Sequence, residues 1–563
     1  MAAESLAADY IVVGGGLTGC LMASRLSQSA KKPSVILLEA GPDPSSNPAA
    51  AGFLSGLSLL GGELDWAYQS EPVKETADRV HTLNAGKALG GGSVLNFGGW
   101  LRADAADYDE WAEAVGGDKR WSYEGLKPWF RKSERFSQGS GGPDLDPDEH
   151  GFDGPMHVTT IAASEPDGRR KYLLREPVKE AWAELGVLPN LQRKHGAIAG
   201  LADMYENSRA GMRQPSNAAY PLNDVKVLTN SVVKRVTFSG SGSDPTATAK
   251  ATGVELSDGR QIAARREVIL CAGAYRTPQI LMLSGIGPSP TLREHGIPTV
   301  CEAPHVGQNL HDHFAIYFAF RLRDPYPSQG YALGSPAWQD PALFKGLPWD
   351  WVVSQPLPAE ILSRHDGSEE AEKKRDRNLW EVITIYAPPG IPGIPVDGTH
   401  VATSTMLLLP TSRGAVSIRS ASPDVPPRIE PNYLSTALDR GTLVHAARQT
   451  LKAMLATGPM SSIVEGETPP SGEGLDGYGL TPLTADASDG EIEERIRRTG
   501  MQHHHSGGTA AMGKVVDGEG KVLGVGGLRI ADASIVPMPL GGHPQATLYA
   551  MGEQLASMII ENA

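Results

Sequence analysis

The chain has 563 residues, 40% hydrophobic and 21% charged, which predicts a globular protein of roughly 2 to 4 domains. A formal net charge of −14 argues against nucleic acid or an anionic membrane as main partner. No window approaches the ~18 consecutive apolar residues of a membrane span.

In chain order, the N-terminus MAAESLAADY has neither a basic n-region nor an apolar h-region, and the chain carries no Asn-x-Ser/Thr sequon. These features predict a cytoplasmic protein, or a secreted one whose leader has been removed. Cys20, Cys271 and Cys301 form no metal-type pair. Cys20 and Cys271 fall in apolar segments and read as buried thiols.

Residues 9 to 41 read as strand, Gly-rich turn, helix, strand and acid. Tyr10 to Val13 is a short apolar run suited to a buried parallel strand. Gly14, Gly16 and Gly19 fit G-x-G-x-x-G. In that pattern the first glycine allows the tight turn, the second lets backbone approach a pyrophosphate, and the third lets the helix pack close to the sheet. Val35 to Leu38 is the second strand, and Glu39 follows it in the place of an acid that takes ribose hydroxyls. The pattern predicts a dinucleotide site. It does not separate FAD from NAD, but the acid disfavours NADP.

Two further small-residue segments suit a close approach of backbone to a ligand. Gly90, Gly91 and Gly92 precede Ser93 and the polar Asn96. The apolar strand Val268 to Cys271 leads into Ala272, Gly273 and Ala274 and then a helix-like segment. Each also reads as an ordinary glycine turn.

Taken together, these segments resemble the glucose-methanol-choline (GMC) flavin oxidoreductases. Residues 86 to 109 look like that family's first signature and residues 273 to 287 like its second. VGQNLHDH (306 to 313), residues 412 to 434 and GLRIADASIVP (527 to 537) are similar to further family elements in the same order. The resemblance implies an α/β fold: a discontinuous Rossmann-like FAD-binding domain of residues 1–155, 220–295 and 510–563. An α+β substrate domain of residues 156–219 and 296–509 would lay an antiparallel sheet over the flavin. PMHVTT, AVSIRS and HVATSTMLLLP are expected in that sheet, and Leu443 to Leu455 in a helix.

The resemblance further implies FAD rather than NAD, with Gly14, Gly16, Leu17, Thr18 and Gly19 around the pyrophosphate, Glu39 and Ala40 at the ribose, and Val233 at the adenine. Gly92, Ser93, Asn96, Phe97 and Gly98 would edge the flavin. Ala272, Asp532 and Ala533 would contact the diphosphate-ribityl region, and Pro544, Gln545 and Thr547, at the start of the last helix, would bind the cofactor at the flavin's pyrimidine edge. Leu95 stands where some relatives attach FAD through a histidine, so non-covalent FAD is expected.

Oxidising an alcohol with flavin removes a hydroxyl proton and a carbon hydride, and imidazole suits the proton. In MQHHHSGGTAAMG the family's H-x-x-G-T element selects His505, three residues before Gly508-Thr509. The second family histidine is His543. His505 is assigned as general base and His543 as hydrogen-bond partner of the substrate oxygen, with the reverse order also open. Pro544 suits the first turn of a helix over 545–560 whose positive end would face the flavin. His503 and His505 alternate in an extended segment and are geometrically able to chelate, but no cysteine or paired acid accompanies them, so no metal is expected. His311 and His313 read as structural, with Asp312 satisfying backbone amides. Residues 323 to 380 are the least strand-like stretch: the aromatic part, with Trp338, Phe344, Trp349 and Trp351, reads as an access lid or a local apolar cluster, and the charge run 368–377 as a solvated face or disordered loop.

The expected activity is oxidation of a small or aromatic primary alcohol to the aldehyde, with O2 or a quinone-like electron acceptor. The alternative is a non-redox lyase or cyclase on the same fold, with FAD mainly structural. A binding protein without activity is a third reading, disfavoured by the two histidines.

Overall fold

The apolar run at the N-terminus forms strand β1 (Leu6–Val13), and the glycine turn delivers the chain into α1 (Leu17–Ser27). These coordinates are a computed structural model that describes residues 6–137, 146–161, 170–191, 193–240, 249–323, 330–365 and 372–562. β2 (Val35–Leu38) is buried at all four positions, as a parallel strand covered on both faces should be. The short helix α2 (Gly92–Leu95) follows the triple glycine.

The chain then weaves between two sheets. β3 (Gly200–Asp203) belongs to the second sheet, whereas β4 (Lys226–Leu228), β5 (Val233–Ser239), β6 (Lys250–Leu256) and β7 (Gln261–Leu270) return to the first. After α3 (Gly273–Leu283) come β8 (Phe314–Leu322), β9 (Trp349–Pro356), β10 (Asn378–Ile385), β11 (His400–Leu407), β12 (Val464–Thr468) and β13 (Met501–Gln502), all in the second sheet. β14 (Leu528–Ile530) and α4 (Pro544–Glu561) go back to the first.

The first sheet runs β4-β2-β1-β7-β6-β5, with β14 added to β7. β4, β2, β1, β7 and β14 pair in parallel, and β5 and β6 extend the sheet as antiparallel neighbours. The second sheet runs β12-β8-β11-β10-β9-β3, with β13 on β8, and is antiparallel throughout. The architecture is a Rossmann-type parallel sheet joined to an antiparallel-sheet region. Among the described residues no helix is long and apolar enough to cross a membrane.

Three sequence expectations change. Of the three segments expected in the antiparallel sheet, only HVATSTMLLLP supplies a strand to it. The strand Met156–Thr160 joins a separate four-stranded sheet, and Gly414–Ser417 a three-stranded one. The aromatic part, least strand-like in sequence, supplies a strand: Trp349 and Trp351 lie in β9, and both are buried, as is Trp338, which stacks on Tyr172. These three tryptophans belong to an apolar cluster, whereas Phe344 is exposed. The charge run also ends against the protein. Arg377 pairs with Asp107 and Glu110, and Lys374 is buried 3.7 Å from Glu110, while residues 366–371 lie outside the described set.

Candidate active site

A single cavity of about 810 Å³ runs from the β1–α1 turn to the histidines of residues 503–505. Its first end is built by glycines whose lack of a side chain is structural. A Cβ on Gly14, at φ +98°, would stand 2.4 Å from the carbonyl oxygen of Cys271, and one on Gly19 would strike the carbonyl of Gly14. Gly19 therefore holds α1 against its strand and does not itself reach the cavity wall. By contrast, a Cβ on Gly92 would meet nothing within 4 Å, because that residue faces the open cavity.

Gly14, Gly16, Leu17 and Thr18 line this end, with the N-terminus of α1 presenting its unpaired amides and positive dipole to an anion. Glu39 and Ala40 close the wall at the end of β2, beside Val233, Ala272, Asp532 and Ala533. Glu39 accepts hydrogen bonds at 2.8 Å from the amides of Gly15 and Gly41, and burial pushes its carboxyl up to about 7. A buried carboxylate with spare acceptor capacity fits the paired hydroxyls of a ribose. The cavity volume is that of a cofactor-sized site. The residues present thus fit a flavin dinucleotide, with the glycine turn and Glu39 holding its nucleotide half.

The middle of the cavity is edged by Gly92, Asn96, Phe97, Gly98, Pro544 and Gln545. Asn96 does not point freely into it. Its amide donates to Gln545 Oε1 at 3.1 Å and its carbonyl accepts from the amide of Gly98 at 3.2 Å. Gln545 in turn donates to the carbonyl of Gly99. Besides Gly19, two further expected cofactor contacts lie off this cavity's wall. Ser93 is buried, with its hydroxyl donating to Gly90 and accepting from the amide of Ser216, and Thr547 is hydrogen-bonded to Tyr108 at 2.7 Å. Both side chains are already occupied in packing α2 and α4. Asp532 reaches the wall, but its carboxylate is taken by the Gly273 amide, Thr277 and the Ser534 amide, so it anchors the start of α3.

At the far end, four histidines meet. The rings of His505 and His543 have centroids 4.9 Å apart, as do those of His503 and His505, and His313 and His505. The local backbone explains why. Phe314 pairs with Gln502 across β8 and β13, and His311 pairs with Gly507, so residues 312–313 on one side face 503–506 on the other. The longer side bulges, and a bulge re-aims side chains. His504 sits at φ +62°, clamped by Gln502, which accepts from its amide at 2.5 Å and bonds its ring at 2.7 Å. This left-handed residue lets the chain turn His503 and His505 toward the cavity.

The cluster is dry. Burial, reinforced by the neighbouring imidazoles, pushes His505 and His503 well below the ordinary histidine value, and burial brings His504 down to about 4. His505 is therefore neutral at neutral pH. Asp312 accepts from the amide of His505 at 2.7 Å and from the Ser506 hydroxyl at 2.9 Å, which fixes the backbone carrying the ring. His543 is the N-cap residue of α4, with Pro544 at the first helical position. Its Nε2 lies 2.8 Å from Glu381 Oε1, leaving Nδ1, on the side of Gly99, as the ring's remaining hydrogen-bonding atom.

Sequence reasoning missed three residues here, Glu381, Tyr317 and Ser404, and read Trp349 and His313 in other roles. Glu381 is a lone acid in the otherwise apolar strand sequence NLWEVITI, and that interruption was its signal. Tyr317 stacks on His503, and Ser404 lies 3.3 Å from its Nε2. Trp349 lines the cavity and donates to Glu206 at 2.7 Å. His313, read as structural, in fact touches His505 directly. His311 bonds the carbonyl of Val536 at 3.2 Å.

The family profiles agree with this construction. The N-terminal GMC oxidoreductase profile matches residues 8–315 and the C-terminal one residues 410–552, and the chain belongs to the GMC oxidoreductase family. It is 39% identical to the GMC-type oxidoreductase acuG of Aspergillus aculeatus, over 98% of this chain and 99% of that one. It is 32% identical to an oxygen-dependent choline dehydrogenase of Paraburkholderia phymatum, covering 98% and 92% of the two chains. It superposes on formate oxidase of Aspergillus oryzae with a TM-score of 0.86 at 26% identity, over 100% of this chain and 99% of that one. GMC oxidoreductases bind FAD, and the chain is of this FAD oxidoreductase class.

Proposed function

We propose that the protein oxidises a primary alcohol, small or aromatic, to the aldehyde, using non-covalently bound FAD and passing electrons to O2 or a quinone-like acceptor. The observation that carries this is the pair His505 and His543, 4.9 Å apart on one wall of the cavity whose other end bears the glycine turn and Glu39. When bound, FAD supplies the acceptor for the carbon hydride. The chain's own residues do the rest. His505, neutral and half-buried at the cavity wall, takes the hydroxyl proton. His543, held by Glu381, gives the substrate oxygen a second hydrogen-bonding partner. Leu347, Trp349, Ile383 and Ile385 form an apolar wall beside the histidines that suits an uncharged ring or short chain and excludes water. The relative named as a choline dehydrogenase acts, by that name, on an alcohol, which supports the donor class. Leu95, a side chain without a nucleophile, supports non-covalent attachment.

The test is anaerobic mixing of the purified yellow protein with a panel of alcohols while flavin absorbance is followed. Bleaching by a primary alcohol is expected. Turnover of a cyanohydrin with no bleaching by any alcohol would instead establish the lyase reading. Repeating the assay in air, with and without a dye, identifies the acceptor. Acid precipitation should leave the flavin in the supernatant.

A further inference from the structure

We propose that His313 is a positioning residue that sets the tautomer of His505, accepting a hydrogen bond from its Nδ1–H and so keeping its Nε2 bare. This inference rests on the reading of His505 as the base.

The argument follows the protons. His313 Nε2 lies 2.9 Å from the carbonyl oxygen of Leu540. A carbonyl only accepts, so this nitrogen carries hydrogen. His313 is buried, and desolvation holds its ring at a pKa of about 3, so it has a single ring proton. Its Nδ1 is then a lone pair. His505 Nδ1 stands 2.8 Å from that lone pair, and two lone pairs do not approach so closely. The proton must lie on His505 Nδ1. Since His505 is also neutral, its Nε2 is the basic atom. Among the described residues no protein hydrogen bond reaches that nitrogen, and the His505 ring lines the cavity. Turning the His313 ring over would put a C–H against the Leu540 carbonyl, so the bonding pattern also fixes ring orientation.

The surrounding groups do not offer a substitute. Asp312 engages the backbone amide of His505, and the His503 and His543 rings meet it at steep angles, 63° and 64°. Leu540 lies three residues before His543, so the segment that places one histidine also anchors, through His313, the protonation of the other. Which ring nitrogen of a histidine is protonated is set by the hydrogen bond made by the other nitrogen. Without the acceptor, both tautomers of His505 become populated, and the one with hydrogen on Nε2 is no base toward the cavity.

The experiment compares three variants of the flavin-loaded protein. His313→Leu removes both bonds and should slow alcohol-driven flavin reduction about tenfold or more, with the loss persisting on the alkaline plateau of the pH profile. His313→Asn places an amide oxygen where Nδ1 was and should recover most of the rate. His313→Gln can keep the bond to Leu540 but puts no acceptor at the Nδ1 position, and should not recover. A merely structural role predicts the opposite order. Solid-state ¹⁵N spectra of histidine-labelled protein, wild type against His505→Ala, should assign to His505 a protonated Nδ1 and a bare Nε2. In His313→Leu that assignment should give way to a mixture. The proposal is overturned if wild-type His505 carries its proton on Nε2, if the leucine variant reduces flavin at the wild-type rate, or if asparagine does no better than glutamine. If no alcohol reduces the wild-type flavin, the proposed activity fails, and the nitrogen spectra alone decide the tautomer.

Discussion

His543 Nε2 and Glu381 Oε1 are 2.8 Å apart, although 162 residues separate them in the chain. The carboxylate approaches from the centre of the antiparallel sheet and fixes the ring of a histidine at the start of α4. Glu381→Gln keeps the shape and an acceptor oxygen but removes the charge. The expected loss in the rate of flavin reduction is about 10- to 100-fold, the lower part of the range for groups acting in proton transfer. Stopped-flow absorbance gives the rate, and flavin content should be unchanged.

His505→Ala removes the proposed base without touching the nucleotide end of the cavity. The variant should stay yellow and lose more than ~100-fold in substrate-driven bleaching. An unchanged rate would transfer the role to His543.

The pH dependence follows from the direction of the His505 shift. Its protonated form cannot accept the hydroxyl proton, and burial moves its pKa well below the ordinary value of 6.5. The rings facing it (His313, His503, His504 and His543) push the same way, while Asp312 engages only the backbone amide. The rate of flavin reduction should therefore hold level from neutral pH down to 6.5 and fall only in more acid solution. An acid limb centred at or above that value would contradict the burial argument.

Two glycines separate folding from cofactor retention. Gly14→Ala forces a side chain onto a φ of +98° and against the Cys271 carbonyl, and should cost about 1–3 kcal/mol of stability or more. Gly92→Leu adds bulk where a Cβ meets nothing within 4 Å, on the cavity wall. That variant should fold, with an unchanged circular dichroism spectrum, and purify colourless.

A buried ion pair supports the apolar wall. Arg170 Nη1 meets Glu206 Oε2 at 2.5 Å with both side chains fully buried, and Glu206 also accepts from the Trp349 ring. Glu206→Gln leaves the guanidinium without its counter-charge and should lower stability by about 3–5 kcal/mol in denaturant melts. Trp349 fluorescence should change at the same time.

What could be read from the sequence was what is local in it. The glycine turn and Glu39 lie within one βαβ unit, so their spacing carries their geometry. The family resemblance pointed to His505, three residues before Gly508-Thr509, and to His543 after the last flavin-domain strand, and their rings stand 4.9 Å apart in the structure. Glu381 was not found, because only the pairing of distant strands brings it to His543. β10 and β11 are buried on both faces, so they lack the alternation that would have marked one side as facing the cavity. The side chains of Ser93 and Thr547 stand off the cavity wall for the opposite reason. Their positions near the glycines and α4 suggested cofactor contacts, but hydrogen bonds to Ser216 and Tyr108 had already claimed them.

The weave of the chain has a consequence for biogenesis. β1 pairs with β7, β7 pairs with β14, and Arg25 of α1 reaches Glu553 of α4 at 2.6 Å. The first strand made thus waits for the last helix before its cavity has a second wall. Such high contact order slows assembly and leaves apolar surface open in the meantime. Flavin loading is therefore expected to follow synthesis, and a ribosome-stalled chain ending before His543 should bind no flavin, however well its N-terminal glycine turn has formed.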